Sequence, residues 1–185
     1  MKSNKTNTLS EGVVNQSSET VRTYHENGNL RTVETLTDGV RNGSYESYYE
    51  SGQLWSKGTY KDGEKEGLWE TYYENGKLEW KRTYVDGKKS GSWESYHENG
   101  QLRWKDIYKN GKRNGRWEEY YKNGQLKIKG TDIDGKLDGI WETYYKNGQM
   151  EMKGSFKDGE LYGIWEWYDR KGQLFYKNEK HNQLN

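Results

Sequence analysis

The sequence predicts an all-β protein, an elongated single-layer antiparallel β-meander built from 24-residue hairpin repeats. A pattern of Gly, Trp and Tyr returns every 24 residues, which is the signature of a repeat architecture. The dipeptides Asn-Gly and Asp-Gly alternate between runs rich in aromatic and Thr residues, and these dipeptides favour tight hairpins. The chain has no apolar period of 3.6 residues, so we expect no helix.

Three positions define the repeat. A glycine stands at Gly43, Gly67, Gly91, Gly115, Gly139 and Gly163. A tryptophan follows two residues after five of these glycines, with Tyr45 in the remaining copy, and a tyrosine follows five residues after each. The phrase WETYYENG at 69–76 therefore returns as WETYYKNG at 141–148.

The units follow one another along almost the whole chain. We expect residues 1–18 and 181–185 to be flexible tails. Residues 19–42 form a degenerate cap without Trp, as is typical of a terminal repeat. The repeats that follow are 43–66, 67–90, 91–114, 115–138, 139–162 and a partial unit at 163–180. Because the last unit lacks its Asp-Gly closure, we expect the chain to fray from about Lys177.

The turns set an expected strand register. A two-residue type I′ turn at Asn75-Gly76 pairs Tyr73 with Leu78 and Thr71 with Trp80. Neighbouring hairpins then join into about fourteen strands, and at ~4.8 Å per strand the sheet is roughly 60 Å long.

The same rule predicts contacts between successive units. A type I′ turn at Asp86-Gly87 places Trp80 opposite Trp93, so that the aromatic stripe crosses the boundary between repeats. It also places small residues opposite each other beside the indoles, Gly58 opposite Gly67 and Gly130 opposite Gly139.

Composition and charge exclude several classes. The net charge of +1 argues against a protein that binds nucleic acid or anionic membranes through a basic excess. The absence of Cys excludes disulfides and cysteine metal sites. The first residues lack the apolar core of a signal peptide, and no stretch approaches the ~20 apolar residues of a membrane span. We therefore expect a cytoplasmic location.

The repeat pattern Y-x-D-G-x-x-x-G-x-W-x-x-Y-Y-x-N-G-x-L closely resembles the bacterial variant of the MORN repeat, over approximately residues 19–180. The resemblance implies an elongated, mostly single-layered antiparallel sheet without enzymatic activity of its own. It also implies an antitoxin-like or immunity-like role, or a scaffold or membrane-associated platform as in eukaryotic MORN proteins. His97 and Asp132 replace aromatic residues of the pattern, and the first two units lack the Trp that follows the repeat glycine.

Hairpins laid side by side collect the large rings on one face of the sheet. A one-layer sheet has no second layer to cover that face, and contiguous exposed apolar area is typical of an interaction site. The alternative is that the rings pack over one another as a core. The predicted partner-binding residues are Trp69, Tyr73, Trp80, Trp93, Trp104, Trp117, Tyr121, Trp141, Tyr145 and Trp165.

We expect no catalytic residues, cofactor or metal. His25 and His97 occupy a position that holds Tyr in other copies, and neither has a zinc-type spacing. No nucleophile, base and orienting group can be assembled from the motifs. The carboxylates are more typical of a ladder of ion pairs on a solvated face. The expected register sets Glu79 against Glu94, Glu151 against Glu166, Glu118 against Arg103 and Glu142 against Lys127, with Lys105 and Lys177 also in reach of Glu94 and Glu166.

The aromatic face favours a non-catalytic protein-binding repeat protein, and the family resemblance implies the antitoxin or immunity type, in which that face occludes a toxin or effector. One alternative is a scaffold or membrane-surface platform that acts through self-association or lipid contact. A carbohydrate-binding sheet is another, because regularly spaced rings can stack on ligands. The neutral balance disfavours nucleic acid.

Overall fold

The computed structural model describes residues 17–180, which form one open antiparallel sheet. Its strands are β1 (Ser18–Tyr24), β2 (Leu30–Thr37), β3 (Val40–Tyr48), β4 (Leu54–Lys61), β5 (Glu64–Tyr72), β6 (Leu78–Val85), β7 (Lys88–Tyr96), β8 (Leu102–Lys109), β9 (Lys112–Arg113), β10 (Gly115–Tyr120), β11 (Leu126–Ile133), β12 (Lys136–Leu137), β13 (Gly139–Tyr144), β14 (Met150–Lys157), β15 (Glu160–Tyr168) and β16 (Leu174–Lys180). Across the described residues every regular element is a strand, as the missing helical period predicts.

The strands lie in the sheet in chain order, because each pairs with its neighbours in sequence. The two-residue strands β9 and β12 pair with β8 and β11 beside the main path. They are separated from β10 and β13 at Asn114 and Asp138, whose backbone N–H groups donate to the carbonyls of Ile107 and Thr131. The predicted single-layer β-meander is confirmed.

The Asp-Gly turns adopt the predicted type I′ geometry. Asp62 and Gly63 have φ angles of 50° and 85°, and positive φ at both central residues defines this turn. The turns that begin at Asp38, Asp86, Asn110, Asp134 and Asp158 repeat the pattern. The turn glycine also ties successive units together, since the Gly63 N–H donates to the carbonyl of Arg41 at 2.8 Å.

The prediction for the Asn-Gly turns was wrong. At each Asn-Gly turn that the structure describes, only the glycine has a positive φ angle, which is 78° at Gly76. Gly76 N–H donates to Tyr73 O and Tyr73 N–H donates to Lys77 O, both at 2.8 Å, which makes a three-residue loop with a type I turn and a bulge at the glycine. Tyr72, not Tyr73, therefore pairs with Leu78, and the strand that follows the turn carries one extra residue before Trp80.

The predicted register between repeats was also wrong. The ladder leaves Asp86-Gly87 as expected, but it shifts beyond the Thr83–Ser90 pair because β7 carries two extra residues there. Trp80 consequently lies opposite Ser95, and Trp93 lies opposite Arg82.

The same shift overturns the predicted pairs of glycines. On the following strand Gly58 and Gly130 have no paired residue, because the ladder is interrupted at both positions. Towards the preceding strand Gly58 pairs with Tyr45 and Gly130 with Trp117. Indoles instead lie directly on the bare backbone: a Cβ added to Gly58 would be 2.2 Å from Cδ2 of Trp69.

The ends of the sheet are only partly as predicted. Residues 1–16 and 181–185 lie outside the described residues, and with them most of the two predicted tails; Ser18 already begins β1. The expected fraying from about Lys177 was wrong, because Trp165 pairs with Asn178 and Gly163 with Lys180 in β16.

The face opposite the indoles, here called the Glu-Tyr face, is a hydrogen-bonded ladder. In each unit from residue 43 on, a tyrosine hydroxyl donates to the glutamate two residues earlier, as Tyr96 does to Glu94 at 2.7 Å. Hydrogen bonds from Lys153, Tyr168 and Lys177 lower the pKa of Glu166 to about 2. The members of this ladder are the pairs Glu46–Tyr48, Glu70–Tyr72, Glu94–Tyr96, Glu118–Tyr120, Glu142–Tyr144 and Glu166–Tyr168.

The predicted like-charge pairs do not form. Glu79 and Glu151 are the extra residues that follow the Asn-Gly turns, so neither enters the ladder. The residues opposite the ladder carboxylates are instead Lys81 for Glu94, Lys153 for Glu166, Lys105 for Glu118 and Lys129 for Glu142. The expected ion pairs of Lys105 with Glu94 and of Lys177 with Glu166 are present at 3.2 and 3.1 Å.

Candidate protein-binding face

Four of the predicted partner-binding indoles are buried in the sheet itself. Trp69, Trp93, Trp117 and Trp165 expose only 3% to 8% of their surface. Large rings that contact each other across neighbouring strands can exclude water without a second layer. We call the surface that they form the aromatic face.

Trp69 shows how an indole is buried in a single layer. Gly58 provides the floor, and the rings of Tyr60 and Tyr45 flank the indole with centroids at 4.9 and 5.6 Å. Its Nε1 donates to the carbonyl of Thr59 at 3.1 Å. The ammonium of Lys65 lies 4.1 Å from the ring centroid and completes the cover. Long cationic side chains commonly cover apolar surface in this way.

The remaining predicted tryptophans are partly exposed. Trp80 and Trp104 contact each other edge to face at 6.3 Å. Trp141 contacts Trp117 at 5.3 Å and Phe156 at 5.5 Å. All three belong to the aromatic face and retain surface that a partner can contact.

The predicted tyrosines connect the repeats. The hydroxyl of Tyr73 donates to the carbonyl of Tyr96 in the next unit at 2.7 Å. Tyr121 and Tyr145 make the corresponding bond to the next unit at 2.9 Å. A polar groove of about 820 Å³ runs beside these turns, and both Tyr73 and Tyr121 line it.

His25 and His97 take the same role as the tyrosines that they replace. His25 Nε2 lies 2.9 Å from the carbonyl of Tyr48, and His97 Nε2 lies 3.2 Å from the carbonyl of Tyr120. Because a carbonyl only accepts, Nε2 carries the hydrogen in both rings. Sequence alignment of the repeats indicates the position, but the shared hydrogen bond is visible only in the structure.

A row of cations, which sequence reasoning missed, covers the first part of the aromatic face. The residues two before each repeat glycine are Arg41, Lys65, Lys89, Arg113, Leu137 and Leu161. The first four place their charge over rings; the Lys89 ammonium lies 4.4 Å from the centroid of Trp93 and 4.7 Å from that of Tyr108. The period of 24 residues would have revealed both the row and its replacement by leucine.

A buried charge cluster lies in the middle of the face. Arg113 Nε is 3.1 Å from Asp106 Oδ1, and Arg113 Nη1 is 3.4 Å from Asp132 Oδ2. The Trp117 Nε1–H also donates to Asp132 at 3.2 Å. Burial raises the pKa of Asp106, although the charge of Arg113 opposes this. Asp132, which departs from the repeat pattern, thus forms an ion pair with Arg113.

The last strands form an apolar cleft of about 480 Å³. Leu161 stands where the first four repeats have a cation over the rings, and it is 43% exposed. Tyr176 is 50% exposed. Phe156 contacts Trp165 at 5.2 Å, and Tyr176 contacts Trp167 at 4.9 Å. The cleft is lined by Trp141, Met152, Phe156, Leu161, Trp165, Trp167, Tyr176 and Asn178.

The described residues contain no group of three His, Cys, Asp or Glu side chains placed to hold a metal ion. Within residues 17–180 there is also no helix long and apolar enough to cross a membrane.

The family model described as the MORN repeat variant matches residues 41–62, 65–86, 89–110, 113–131 and 137–158. These matches cover more than half of the 185 residues. The chain belongs to the MORN repeat variant family. No curated protein matches it. MORN repeats are a non-catalytic motif that generally mediates binding to proteins or membranes.

The five MORN matches and the aromatic face do not coincide completely. The matched segments begin at residue 41 in β3 and end at residue 158, after β14. The apolar cleft joins the last matched repeat to β15 and β16, which lie beyond it. The cleft is therefore a feature of this chain's final strands rather than of every MORN repeat.

Proposed function

We propose that the chain is a non-catalytic protein-binding protein of the antitoxin or immunity type, which covers the functional surface of a partner protein with its aromatic face. The apolar cleft at β13–β16 carries this proposal. Its exposed rings and leucine form a contiguous apolar surface, and such surfaces typically mark interaction sites.

The cleft has the composition of a binding hot spot. Trp and Tyr dominate the energetics of protein interfaces, and Trp167 and Tyr176 lie side by side in the cleft. The neighbouring Trp165 is only 3% exposed, so it holds the floor of the cleft in place. A preformed cleft binds with little loss of side-chain entropy.

The buried indoles refine which residues contact the partner. Trp69, Trp93 and Trp117 act as the core that shapes the face. The partly exposed Trp80, Trp104 and the cleft supply the contact area. In this proposal the MORN sheet binds the toxin or effector in the cytoplasm. It inhibits the partner by covering its surface and catalyses no reaction.

Affinity purification from the native host with a matched pair of variants tests this function. Leu161 and Ile164 lie on the same strand and are 43% and 47% exposed, but Leu161 lines the cleft while Ile164 lies beside the buried Trp165 and faces the other way. A charge in the cleft is costly to bury, so Leu161→Glu reduces recovery of the partner by at least about tenfold. Ile164→Glu retains it.

Two outcomes contradict the proposal. One is that the wild-type chain recovers no stoichiometric protein from its host. The other is that Leu161→Glu and Ile164→Glu lose the partner equally while both remain folded, because binding would then not depend on the cleft.

A further inference from the structure

The cations over the aromatic face differ in whether a carboxylate neutralises them. Arg41 is paired with Glu34 at 2.5 Å, and Arg113 is paired with Asp106. Within the part of the chain that the structure describes, Lys65, Arg82 and Lys89 have no salt bridge to a carboxylate; their close contacts are with rings, and the charge of Glu79 acts on Arg82 only from beyond salt-bridge distance.

These three charges lie close together although they repel each other. Lys65 is on β5, Arg82 on β6 and Lys89 on β7, three successive strands at about 4.8 Å spacing. Burial and the nearby charge of Arg82 lower the pKa of Lys65. Clustering of partly buried like charges costs free energy unless an anion neutralises them.

We propose that this cluster binds an acidic, extended segment of the partner protein, which crosses β5, β6 and β7 on the aromatic face. This inference rests on the proposed function and names the chemistry of the partner. Three charges spread over about 10 Å match several carboxylates of an extended chain better than a single small anion. The rings of Trp80 and Trp93 lie within 5.4 Å of the Arg82 guanidinium and supply apolar contacts beside the charges.

The distance to the apolar cleft adds a second feature of the segment. From β7 to β13 the sheet advances four strands, or about 20 Å. An extended chain covers this distance in about six residues. Between the two sites Arg113 is already neutralised, so the segment is acidic at one end and apolar at the other.

A flat anionic membrane fits the cluster less well. The lysines of the Glu-Tyr face are already neutralised, since Lys57 and Lys105 are paired with Glu70 and Glu94 at 3.0 and 3.2 Å. Lys65 and Lys89, in contrast, are partly covered between rings, where a narrow chain reaches them more readily than a bilayer surface.

The test measures binding of a poly-L-glutamate of about 15 residues to the full chain by titration calorimetry and tryptophan fluorescence. Lys65→Gln combined with Lys89→Gln weakens binding by about 25-fold, from about fivefold for each ion pair. Lys57→Gln combined with Lys105→Gln changes the net charge by the same amount and leaves binding within about twofold. Arginine at positions 65 and 89 preserves binding, and circular dichroism confirms that each variant is folded.

Two results with poly-L-glutamate overturn the inference: no binding by the wild-type chain, or equal losses of binding in the two glutamine pairs. The same assay with vesicles of anionic lipid gives a third: Lys65→Gln with Lys89→Gln weakens binding to the vesicles but not to poly-L-glutamate. A host partner that depends on Leu161 but not on Lys65 and Lys89 would leave the proposed function intact and remove this inference. Failure to recover any host partner would instead count against the proposed function.

Discussion

Replacing Gly58 by Ala tests whether the indoles form the core of the sheet. The added Cβ would lie 2.2 Å from Cδ2 and 2.3 Å from Cε2 of Trp69, far inside van der Waals contact. The indole cannot move freely, because Tyr60, Lys65 and the carbonyl of Thr59 hold it. Overpacking of this kind destabilises the folded state by about 3 kcal/mol. Replacing glycine also makes the unfolded chain less flexible, which offsets about 0.5–1 kcal/mol of that cost. We expect a net destabilisation of about 2 kcal/mol.

Urea denaturation followed by tryptophan fluorescence measures this change. Gly130→Ala is the matched control, because its Cβ would lie 2.7 Å from the nearest atom of Trp117, so it costs less. Adding Trp69→Ala to Gly58→Ala removes the clash, so the two changes are less than additive. A stability of Gly58→Ala equal to or above that of the wild type would refute the packing of Trp69 against this glycine.

Three further predictions concern the polar contacts. His97→Phe removes the donor to Tyr120 and lowers the free energy of unfolding by about 1 kcal/mol, whereas His97→Tyr retains the stability; urea denaturation distinguishes them, and equal losses would contradict the bridging role. The pKa of Glu166 is lowered, so its contribution to stability is full above the unfolded pKa and is lost as the pH falls toward about 2; a pH series of unfolding midpoints that is flat for wild type, or identical for Glu166→Gln, would contradict this. Arg113→Met leaves Asp106 buried without a positive charge beside it and costs about 3–5 kcal/mol at pH 7, less on acidification as the carboxyl protonates; a cost below about 1 kcal/mol at neutral pH would exclude the ion pair as a stabilising contact.

The architecture could be predicted because the same 24-residue pattern recurs along almost the whole chain. Gly at fixed intervals and alternating turn dipeptides specify antiparallel hairpins, whatever the details of their register. Within a hairpin the register beyond the Asn-Gly turn was predicted correctly, since Thr71 pairs with Trp80. The Asn-Gly turn itself and the register between repeats were predicted wrongly. Asn75-Gly76 and Asp86-Gly87 look equivalent in sequence, yet the Asn side chain accepts a hydrogen bond from Lys77 N–H and stabilises a three-residue loop.

The site was harder to predict than the fold. A row of Trp and Tyr correctly indicates one aromatic face, but sequence alone does not say which rings are covered by their own neighbours. The cover depends on the residue two before each glycine, which is Lys65 or Lys89 in early units and Leu161 in the last. Only the folded sheet brings that side chain over the indole four residues later.

Site-specific photocrosslinking in the native host most directly tests the claim that the aromatic face binds the partner. Tyr176 and Lys177 are adjacent on β16 but face opposite ways, since Tyr176 contacts Trp167 and Lys177 contacts Glu166. We predict that p-benzoyl-phenylalanine placed at Tyr176 captures one defined protein and that the same group at Lys177 does not. Capture of that protein from Lys177 alone, or equally from both positions, would contradict the account.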